Sequence, residues 1–337
     1  MNFLIRRTPH KRLAMLHCRR ARSLATAALI AACLTAPLLA AENFSVQLPA
    51  WVSSLSFSPD GKQLAVGCAD PSAHILEIEA GKELLTLPGH KDYIASVAFS
   101  PDGKKLATGS YDRTARTWDI ETKRTLLTLE GHRGVVMAVA FSPDGKWFAT
   151  GSLDATVKVW NAATGELRAT LRGHKSWVNS VVFTTNGRSL ITGSSDGTIK
   201  FWRADSGKLE STVDATDAEV RSVAISRDGK TLAAGMRYGV LKVWSRDTGR
   251  ELLSTKAHDG ETWSVAFSPN GRTLISGGGD WGMPGQVKLW DNDTWQWRTT
   301  LTTSGEVLTV ACSPDGHTLA TGCGDGTVKV WSVKNEW

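Results

Sequence analysis

A hydroxyl residue, a histidine and an aspartate recur together at three places in the sequence, and this combination can perform nucleophilic catalysis. Each set is followed by a tryptophan, and the three sets are His90, Thr108 or Ser110, Asp112 and Trp118; His132, Thr150 or Ser152, Asp154 and Trp160; and His174, Thr192 or Ser194, Asp196 and Trp202. Successive sets lie 42 residues apart. One hydrolytic site does not repeat at a fixed interval, and histidines that occur once per repeat do not converge on one metal ion. The spacing therefore indicates a repeated structural unit, without catalytic residues or metal ligands.

A four-residue turn motif defines this unit and occurs seven times. It reads SPDG at Ser58, Ser100, Ser142 and Ser313, TTNG at Thr184, SRDG at Ser226 and SPNG at Ser268. The intervals are 42 residues, except for a last one of 45 that contains the insertion at residues 281–285. Proline at the second position and glycine at the fourth both favour a tight turn. Each motif therefore predicts a hairpin between two short strands, such as residues 96–100 and 104–110.

The rest of each unit predicts two more strands, so that about 42 residues supply four short antiparallel strands. A sheet of this size cannot bury both faces alone, whereas seven such blades stacked round an axis can. We therefore predict an all-β fold, a seven-bladed β-propeller over residues 42–337. The last unit ends after its third strand. We predict that residues 44–48 supply the missing fourth strand and close the ring.

Two dipeptide motifs within residues 44–337 resemble the WD40-repeat family. They are Gly-His at residues 89–90, 131–132 and 173–174, and Trp-Asp at residues 118–119 and 290–291. In that family the His, the hydroxyl, the Asp and the Trp form a hydrogen-bonded structural network inside a blade. The resemblance implies such networks in blades two, three and four. Blade six keeps His258, Asp280 and Trp290, with the insertion beside Asp280, while blades one, five and seven lack the histidine.

Residues 1–41 differ in composition from the remainder of the chain. They contain seven basic residues and no acidic ones, and an uncharged run follows from Ser23 to Ala41. Removing these seven from the 39 basic residues leaves 32 against 33 acidic residues, so the formal charge of +6 belongs to this segment. A basic stretch followed by an apolar run is typical of an export signal. The near-neutral body predicts that nucleic acid is not a partner.

Three interpretations of this leader stay open. It is a cleaved signal peptide that ends at Ala40-Ala41, an uncleaved N-terminal membrane anchor, or a lipidated segment, because residues 30–33 resemble a lipobox ending in Cys33. Met15 is an alternative start. All three predict an exported body in the periplasm or cell envelope, which touches a membrane only through the anchor or the lipidated Cys33.

The body retains three cysteines, Cys68, Cys312 and Cys323. Their spacing matches no zinc, redox or haem motif, and an odd number cannot pair completely within one chain. We expect three small buried thiols and no cofactor.

The residue seven positions before each turn motif should, by the family's geometry, lie on the top face of the ring near the channel mouth. Round the ring these residues are Trp51, Tyr93, Val135, Trp177, Glu219, Glu261 and Glu306, and the position before the second turn adds Tyr111, Leu153 and Arg237. This order predicts an aromatic half and an acidic half. Aromatic anchors in a polar surround are typical of protein-recognition surfaces. The competing interpretation is that some of these aromatics cap the core at the strand ends.

The leading hypothesis is a non-catalytic, monomeric, exported scaffold that binds a protein or peptide on this face. The predicted partner-binding residues are Trp51, Tyr93, Tyr111, Trp177, Glu219, Arg237, Glu261 and Glu306. The insertion at residues 281–285 is either a further contact or ordinary loop drift. The alternative is a lactonase-like or other hydrolytic propeller, or a metal-binding one, because Glu219, Glu261 and Glu306 could together hold a divalent cation. A third possibility is a sensing or assembly module of the cell envelope.

Overall fold

A computed structural model of the protein describes residues 40–215 and 218–333. Within these ranges, 28 strands form seven four-stranded antiparallel sheets, and a single 3₁₀ turn lies at Arg237–Gly239. The first strands of neighbouring blades contact each other all the way round, including blade seven against blade one. These strands therefore form the inner wall of a closed ring. The predicted seven-bladed propeller is confirmed.

The strands of the first six blades follow sequence order within each sheet. Blades one to three comprise β2 (Val52–Phe57), β3 (Gln63–Cys68), β4 (Ser72–Glu77) and β5 (Lys82–Pro88); β6 (Ile94–Phe99), β7 (Lys105–Ser110), β8 (Ala115–Asp119) and β9 (Thr125–Leu129); and β10 (Val136–Phe141), β11 (Trp147–Ser152), β12 (Thr156–Asn161) and β13 (Leu167–Arg172). Blades four to six comprise β14 (Val178–Phe183), β15 (Ser189–Ser194), β16 (Thr198–Arg203) and β17 (Leu209–Asp214); β18 (Val220–Ile225), β19 (Thr231–Met236), β20 (Val240–Ser245) and β21 (Glu251–Lys256); and β22 (Glu261–Phe267), β23 (Thr273–Gly279), β24 (Gln286–Asp291) and β25 (Trp297–Thr302).

Blade seven combines the two ends of the described chain. It consists of β26 (Val307–Cys312), β27 (Thr318–Cys323), β28 (Thr327–Val333) and the N-terminal strand β1 (Ala40–Gln47). β1 pairs antiparallel with β28, from Ala40 opposite Val333 to Gln47 opposite Thr327, with a bulge between Glu42 and Phe44. Closure of the ring by the N-terminal strand is thus confirmed. The strand starts at Ala40, earlier than the predicted residues 44–48.

The hairpin turn that recurs in every blade is held by its own side chains. In blade two the Ser100 hydroxyl donates to Asp102 at 2.6 Å and accepts the Lys105 N–H at 2.9 Å. The Gly103 N–H donates to the Ser100 carbonyl, and Gly103 has a φ of 71°, which favours glycine. The motif therefore forms a turn for local reasons, before any blade packs on another.

Neighbouring blades pack so closely that one position on the second strand must be glycine. A Cβ on Gly151 of blade three would lie 2.8 Å from Val178 Cγ1 of blade four. The hydrophobic clusters combine residues of adjacent blades, such as Ala149 and Val157 with Val181 and Trp202. The core is therefore a series of interfaces between blades, and each blade depends on its neighbours for stability.

The predictions for residues 1–39, which cover most of the leader with Cys33 and Met15, concern residues outside the described ranges. In the described part, no helix is long and apolar enough to span a membrane.

Candidate functional site

A hydrogen-bonded chain of four side chains fills the interior of blades two, three and four. In blade two, His90 Nδ1 lies 2.7 Å from Asp112 Oδ2, and His90 Nε2 lies 2.7 Å from Thr108 Oγ1. Because a carboxylate only accepts, Nδ1 carries the proton, and Nε2 accepts from the Thr108 hydroxyl. The indole N–H of Trp118 donates to the same hydroxyl oxygen at 2.9 Å. Every hydrogen-bonding group of the set has a partner inside the blade.

The same geometry recurs in the next two blades. His132 lies 2.9 Å from Asp154 and 2.8 Å from Thr150, and His174 lies 3.0 Å from Asp196 and 2.7 Å from Thr192. Trp160 and Trp202 donate to the two threonines. The sequence offered a threonine and a serine as the hydroxyl residue of each network. In all three blades the threonine forms the hydrogen bond with the histidine. The three threonines are fully buried, so they are not placed to attack a substrate.

Hydrogen bonds keep the aspartates of these networks ionised. Burial alone would raise the pKa of Asp112, but hydrogen bonds from the Lys91 N–H, Thr114 and His90 outweigh it and lower the pKa to about 2. The pKa of Asp154 is lowered to about 2 for the corresponding reasons. Burial of His90 lowers the pKa of its imidazole, although the hydrogen bond to Asp112 and the charge of Asp112 act in the opposite direction.

Blade six retains only part of this network. His258 Nε2 lies 2.8 Å from Ser276 Oγ, and Trp290 donates to that hydroxyl at 2.9 Å. Asp280 is exposed and accepts the N–H of Trp281, and the buried Nδ1 of His258 has no hydrogen-bond partner among the described residues. Burial, reinforced by the charge of Lys288, lowers the pKa of His258 to about 4. The insertion has moved the carboxylate away from the histidine.

Aromatic side chains from three blades form a continuous row on one end of the ring. The ring centroids of Trp51 and Tyr93 are 6.2 Å apart, those of Tyr93 and Tyr111 are 5.9 Å apart, and those of Trp51 and Trp281 are 6.3 Å apart. All three pairs have the edge-to-face geometry that aromatic rings prefer. We call Trp281, Trp51, Tyr93 and Tyr111 the aromatic row, and the end of the ring that carries it the top face.

The aromatic row joins residues that the sequence placed on the rim with one from the insertion. Tyr111 N–H donates to the Tyr93 carbonyl at 2.9 Å, so the two predicted loop positions of blade two lie side by side. Tyr93 is 44% exposed, Trp281 63% and Trp177, which lies further round the rim, 50%. These large side chains therefore present apolar surface to solvent instead of simply capping the core.

The insertion of blade six reaches over blade seven towards blade one. The N–H of Gly282 donates to Glu306 Oε2 of blade seven at 3.1 Å, while the Trp281 ring contacts Trp51 of blade one. Glu306 is buried, with 2% exposure. The insertion is thus fixed by a specific contact, and Glu306 is a support for this loop rather than part of an open acidic surface.

The other two rim glutamates are paired with arginines. Glu219 lies 2.6 Å from Arg237 Nη1 and 3.0 Å from Arg221 Nη1, and Glu261 lies 3.1 Å from Arg221 Nε. Two negative and two positive charges therefore balance locally. The three glutamates are not among the groups of described residues that bring three possible metal ligands within 4.8 Å of one another.

A cavity of about 350 Å³ opens beside the aromatic row at the mouth of the central channel. Each blade contributes the residue two positions after its rim residue, and these seven are Ser53, Ala95, Met137, Asn179, Arg221, Trp263 and Leu308. Trp51, Tyr111 and Trp281 complete the wall. The mixture of apolar and polar groups suits one or two inserted side chains of a ligand.

The rim positions considered in the sequence omit Arg221 and Trp263, and Trp281 was considered only as part of the insertion at residues 281–285. Arg221 and Trp263 occupy the same repeat position, and the guanidinium lies 5.1 Å from the Trp263 ring. Alignment of the repeats at this second position would have found both residues. Nothing in the repeat pattern shows that Trp281 folds back to Trp51.

Family models agree with this architecture. The model described as IFT122 first beta-propeller matches residues 115–300, which is more than half of the chain. The WD domain, G-beta repeat model matches residues 81–119 and 295–332, and the anaphase-promoting complex subunit 4 WD40 domain model matches residues 45–97. No curated protein matches the chain. WD40 propellers are typically protein-interaction scaffolds and are generally not catalytic. The chain belongs to the WD40-repeat β-propeller family.

Proposed function

We propose that this protein is an exported, non-catalytic scaffold that binds a protein or peptide on the top face. The observation that carries the proposal is the aromatic row at the mouth of the 350 Å³ cavity. Tyrosine and tryptophan supply large contact areas at a small cost in side-chain entropy, and they are enriched among residues that dominate binding energy. The row joins four such residues from three blades into one surface.

The charged part of the rim supports recognition rather than catalysis. Glu219 and Glu261 are engaged by Arg221 and Arg237, so neither carboxylate is free to act as a base or to bind calcium without breaking an ion pair. Arginine at the border of an aromatic surface gives polar contacts and orientation to a partner. We therefore place Arg237, Glu219 and Glu261 at the polar edge of the binding surface, with Trp177 beyond it.

Export is part of the proposal and rests on the leader pattern of residues 1–41. Fusion of these residues to a reporter enzyme that folds only outside the cytoplasm tests it. We expect activity of the fusion, and loss of activity when Leu29, Ile30 and Leu34 in the apolar run are changed to Asp. An active reporter in the substituted fusion would show that the segment is not an export signal.

The binding surface is tested by replacing Trp51, Tyr93, Tyr111 and Trp177 together with alanine and comparing the proteins captured by each chain. A variant with Leu126→Ala and Trp297→Ala is the control, because both side chains are exposed on outer strands. We expect the quadruple variant to lose its partners and the control to keep them. An unchanged set of partners from a folded quadruple variant would exclude this surface.

A further inference from the structure

Blade one replaces the usual histidine network with a different group of side chains. The residue 42 positions before His90 is Leu48, and the residue 42 positions before Trp118 is Leu76, so this blade has neither the network histidine nor the tryptophan. It has instead a histidine on its third strand, His74 in β4. The equivalent positions of blades two to five are basic, namely Arg116, Lys158, Lys200 and Lys242. His74 is therefore a departure specific to this blade.

His74 is held between two carboxylates. Its Nε2 lies 3.0 Å from Asp70 Oδ2, and its Nδ1 lies 2.8 Å from Glu83 Oε1. The thiol of Cys68 completes the group, since one ligand atom each of Cys68, Asp70 and His74 lies within 4.8 Å of the others. Cys68 is fully buried and His74 nearly so, while Asp70 is half-buried at the start of the β3–β4 turn.

This combination of a sulfur, an imidazole nitrogen and a carboxylate oxygen is the donor set of zinc sites. Because Nε2 faces Asp70, it is the ring atom that can share an ion with that carboxylate. Glu83 then holds the opposite ring nitrogen, and a carboxylate in this position orients a ligating histidine and increases its basicity. Calcium and magnesium prefer oxygen ligands, so the thiol and imidazole disfavour both.

We propose that Cys68, Asp70 and His74 bind one Zn²⁺ ion, with Glu83 as the positioning residue behind His74. Three protein ligands leave the fourth tetrahedral position to water. Binding displaces the thiol proton to solvent, since the thiolate is the form that ligates the metal. The ion fastens the β3–β4 turn, as the His–Asp pairs fasten the equivalent turns of blades two to four. This turn is next to the aromatic row, because the Ala69 N–H donates to the Trp51 carbonyl at 2.9 Å.

The repeats provide conservative variants for the test. Cys68→Ser introduces the residue that blades two to four have at this position, Ser110, Ser152 and Ser194, and His74→Lys introduces that of blades three to five. Cys323→Ser is the matched control, because Cys323 of blade seven is a buried free thiol at the equivalent position. Each cysteine variant keeps four of the five cysteines of the chain, so zinc bound elsewhere is common to both.

The full-length chain, free of affinity tags and treated with chelator, is titrated with Zn²⁺ by calorimetry and with Co²⁺ by absorption spectroscopy. We expect one zinc equivalent that Cys68→Ser and His74→Lys lose and Cys323→Ser retains, with a thiolate-to-cobalt band that follows the same pattern. Glu83→Ala should weaken zinc binding by about 10–100-fold without unfolding the metal-free protein. Zn²⁺ should raise the melting temperature of the wild type and Ca²⁺ should not.

Three results would overturn the proposal. They are the lack of a stoichiometric zinc site in the wild type, an undiminished site in Cys68→Ser, and equal loss of zinc in Cys323→Ser. The first would show that Asp70, His74 and Glu83 form a hydrogen-bonded structural group only. If a Cys68 or His74 variant does not fold, Glu83→Ala decides, because the Glu83 side chain is partly exposed and its removal should leave the protein folded. An undiminished zinc affinity of Glu83→Ala would contradict the proposed arrangement.

Discussion

Blades two to four and the remaining blades use the same repeat, but they differ in where their polar side chains are engaged. We call blades two to four the regular arc, and blades five, six, seven and one the variant arc. In the regular arc each His, Thr, Asp and Trp is satisfied within its blade. In the variant arc, β1 completes blade seven, and two departures from the repeat make contacts between blades, namely the Gly282–Glu306 contact and the Arg221–Glu261 pair. The regular arc serves as framework, and the variant arc carries most of the specific features of the top face.

The largest expected effect comes from removing the strand that closes the variant arc. Deletion of residues 42–50 removes most of the β1–β28 ladder together with the buried Leu48 and the core contacts of Phe44 and Val46. Loss of a buried leucine alone costs about 2–5 kcal/mol, so we expect the free energy of unfolding to fall by at least about 4 kcal/mol. Urea denaturation measures the change.

Glu42→Ala is the control for this deletion. It removes one exposed ion pair with Lys329 and leaves the strand in place. Such pairs contribute about 0–1 kcal/mol, and the control should stay within that range. A deletion that unfolds at the same urea concentration as the control would contradict closure by β1.

A pair of equivalent substitutions compares the two arcs directly. Asp154 accepts hydrogen bonds from His132, Arg133 and Thr156, whereas Asp280 accepts one from the adjacent Trp281 N–H. We expect Asp154→Ala to cost about 3 kcal/mol, because it removes the carboxylate acceptor of the buried His132 Nδ1, which then has only the Thr156 hydroxyl at 3.4 Å. Asp280→Ala should cost less than about 0.5 kcal/mol, as expected for an exposed residue. Equal losses in urea denaturation would remove the distinction between the arcs.

The pH dependence of stability should also show the contribution of His258 in the variant arc, in addition to that of His90 and His132, whose pKa values are lowered by burial as well. The folded-state pKa of His258 is lowered to about 4, so the unfolded chain takes up a proton on this residue from about pH 6.5 downwards and the folded chain does not. The free energy of unfolding that depends on neutral His258 is therefore fully present above pH 6.5. It is lost as the pH falls, by about 2 kcal/mol at pH 5. The aspartates of the regular arc, with folded pKa values near 2 for Asp112 and Asp154, lose their contribution only as the pH falls below about 4.

Unfolding of the wild type and of His258→Gln between pH 8 and pH 2 measures this difference. The variant should lose part of the slope between pH 6.5 and pH 5 and keep the steep fall below pH 4. A slope that is identical in both proteins would show that the buried, unpartnered His258 does not control the upper part of the profile.

The repeat made the fold predictable from sequence, because each turn is stabilised locally by the residues of its motif, as Ser100, Asp102 and Gly103 show. Contacts between blades were harder to predict from the sequence than the turns. Glu219 and Glu261 were predicted as an acidic half, and they meet arginines at other repeat positions, so the surface is locally neutral. The contact of Trp281 with Trp51 depends on the path of a non-repeating loop. The group around His74 could have been found, since it interrupts a series of basic residues at a fixed repeat position.

The most direct test of binding on the top face is photo-crosslinking in cells from two equally exposed positions of blade two. Tyr93 on the top face and Leu126 on the outer strand are both 44% exposed. Each is replaced in turn by the photoreactive residue benzoylphenylalanine, and the crosslinked proteins are compared. We expect a specific crosslinked partner from position 93 and not from position 126. The same partner captured equally from position 126, or from that position alone, would contradict binding on the top face.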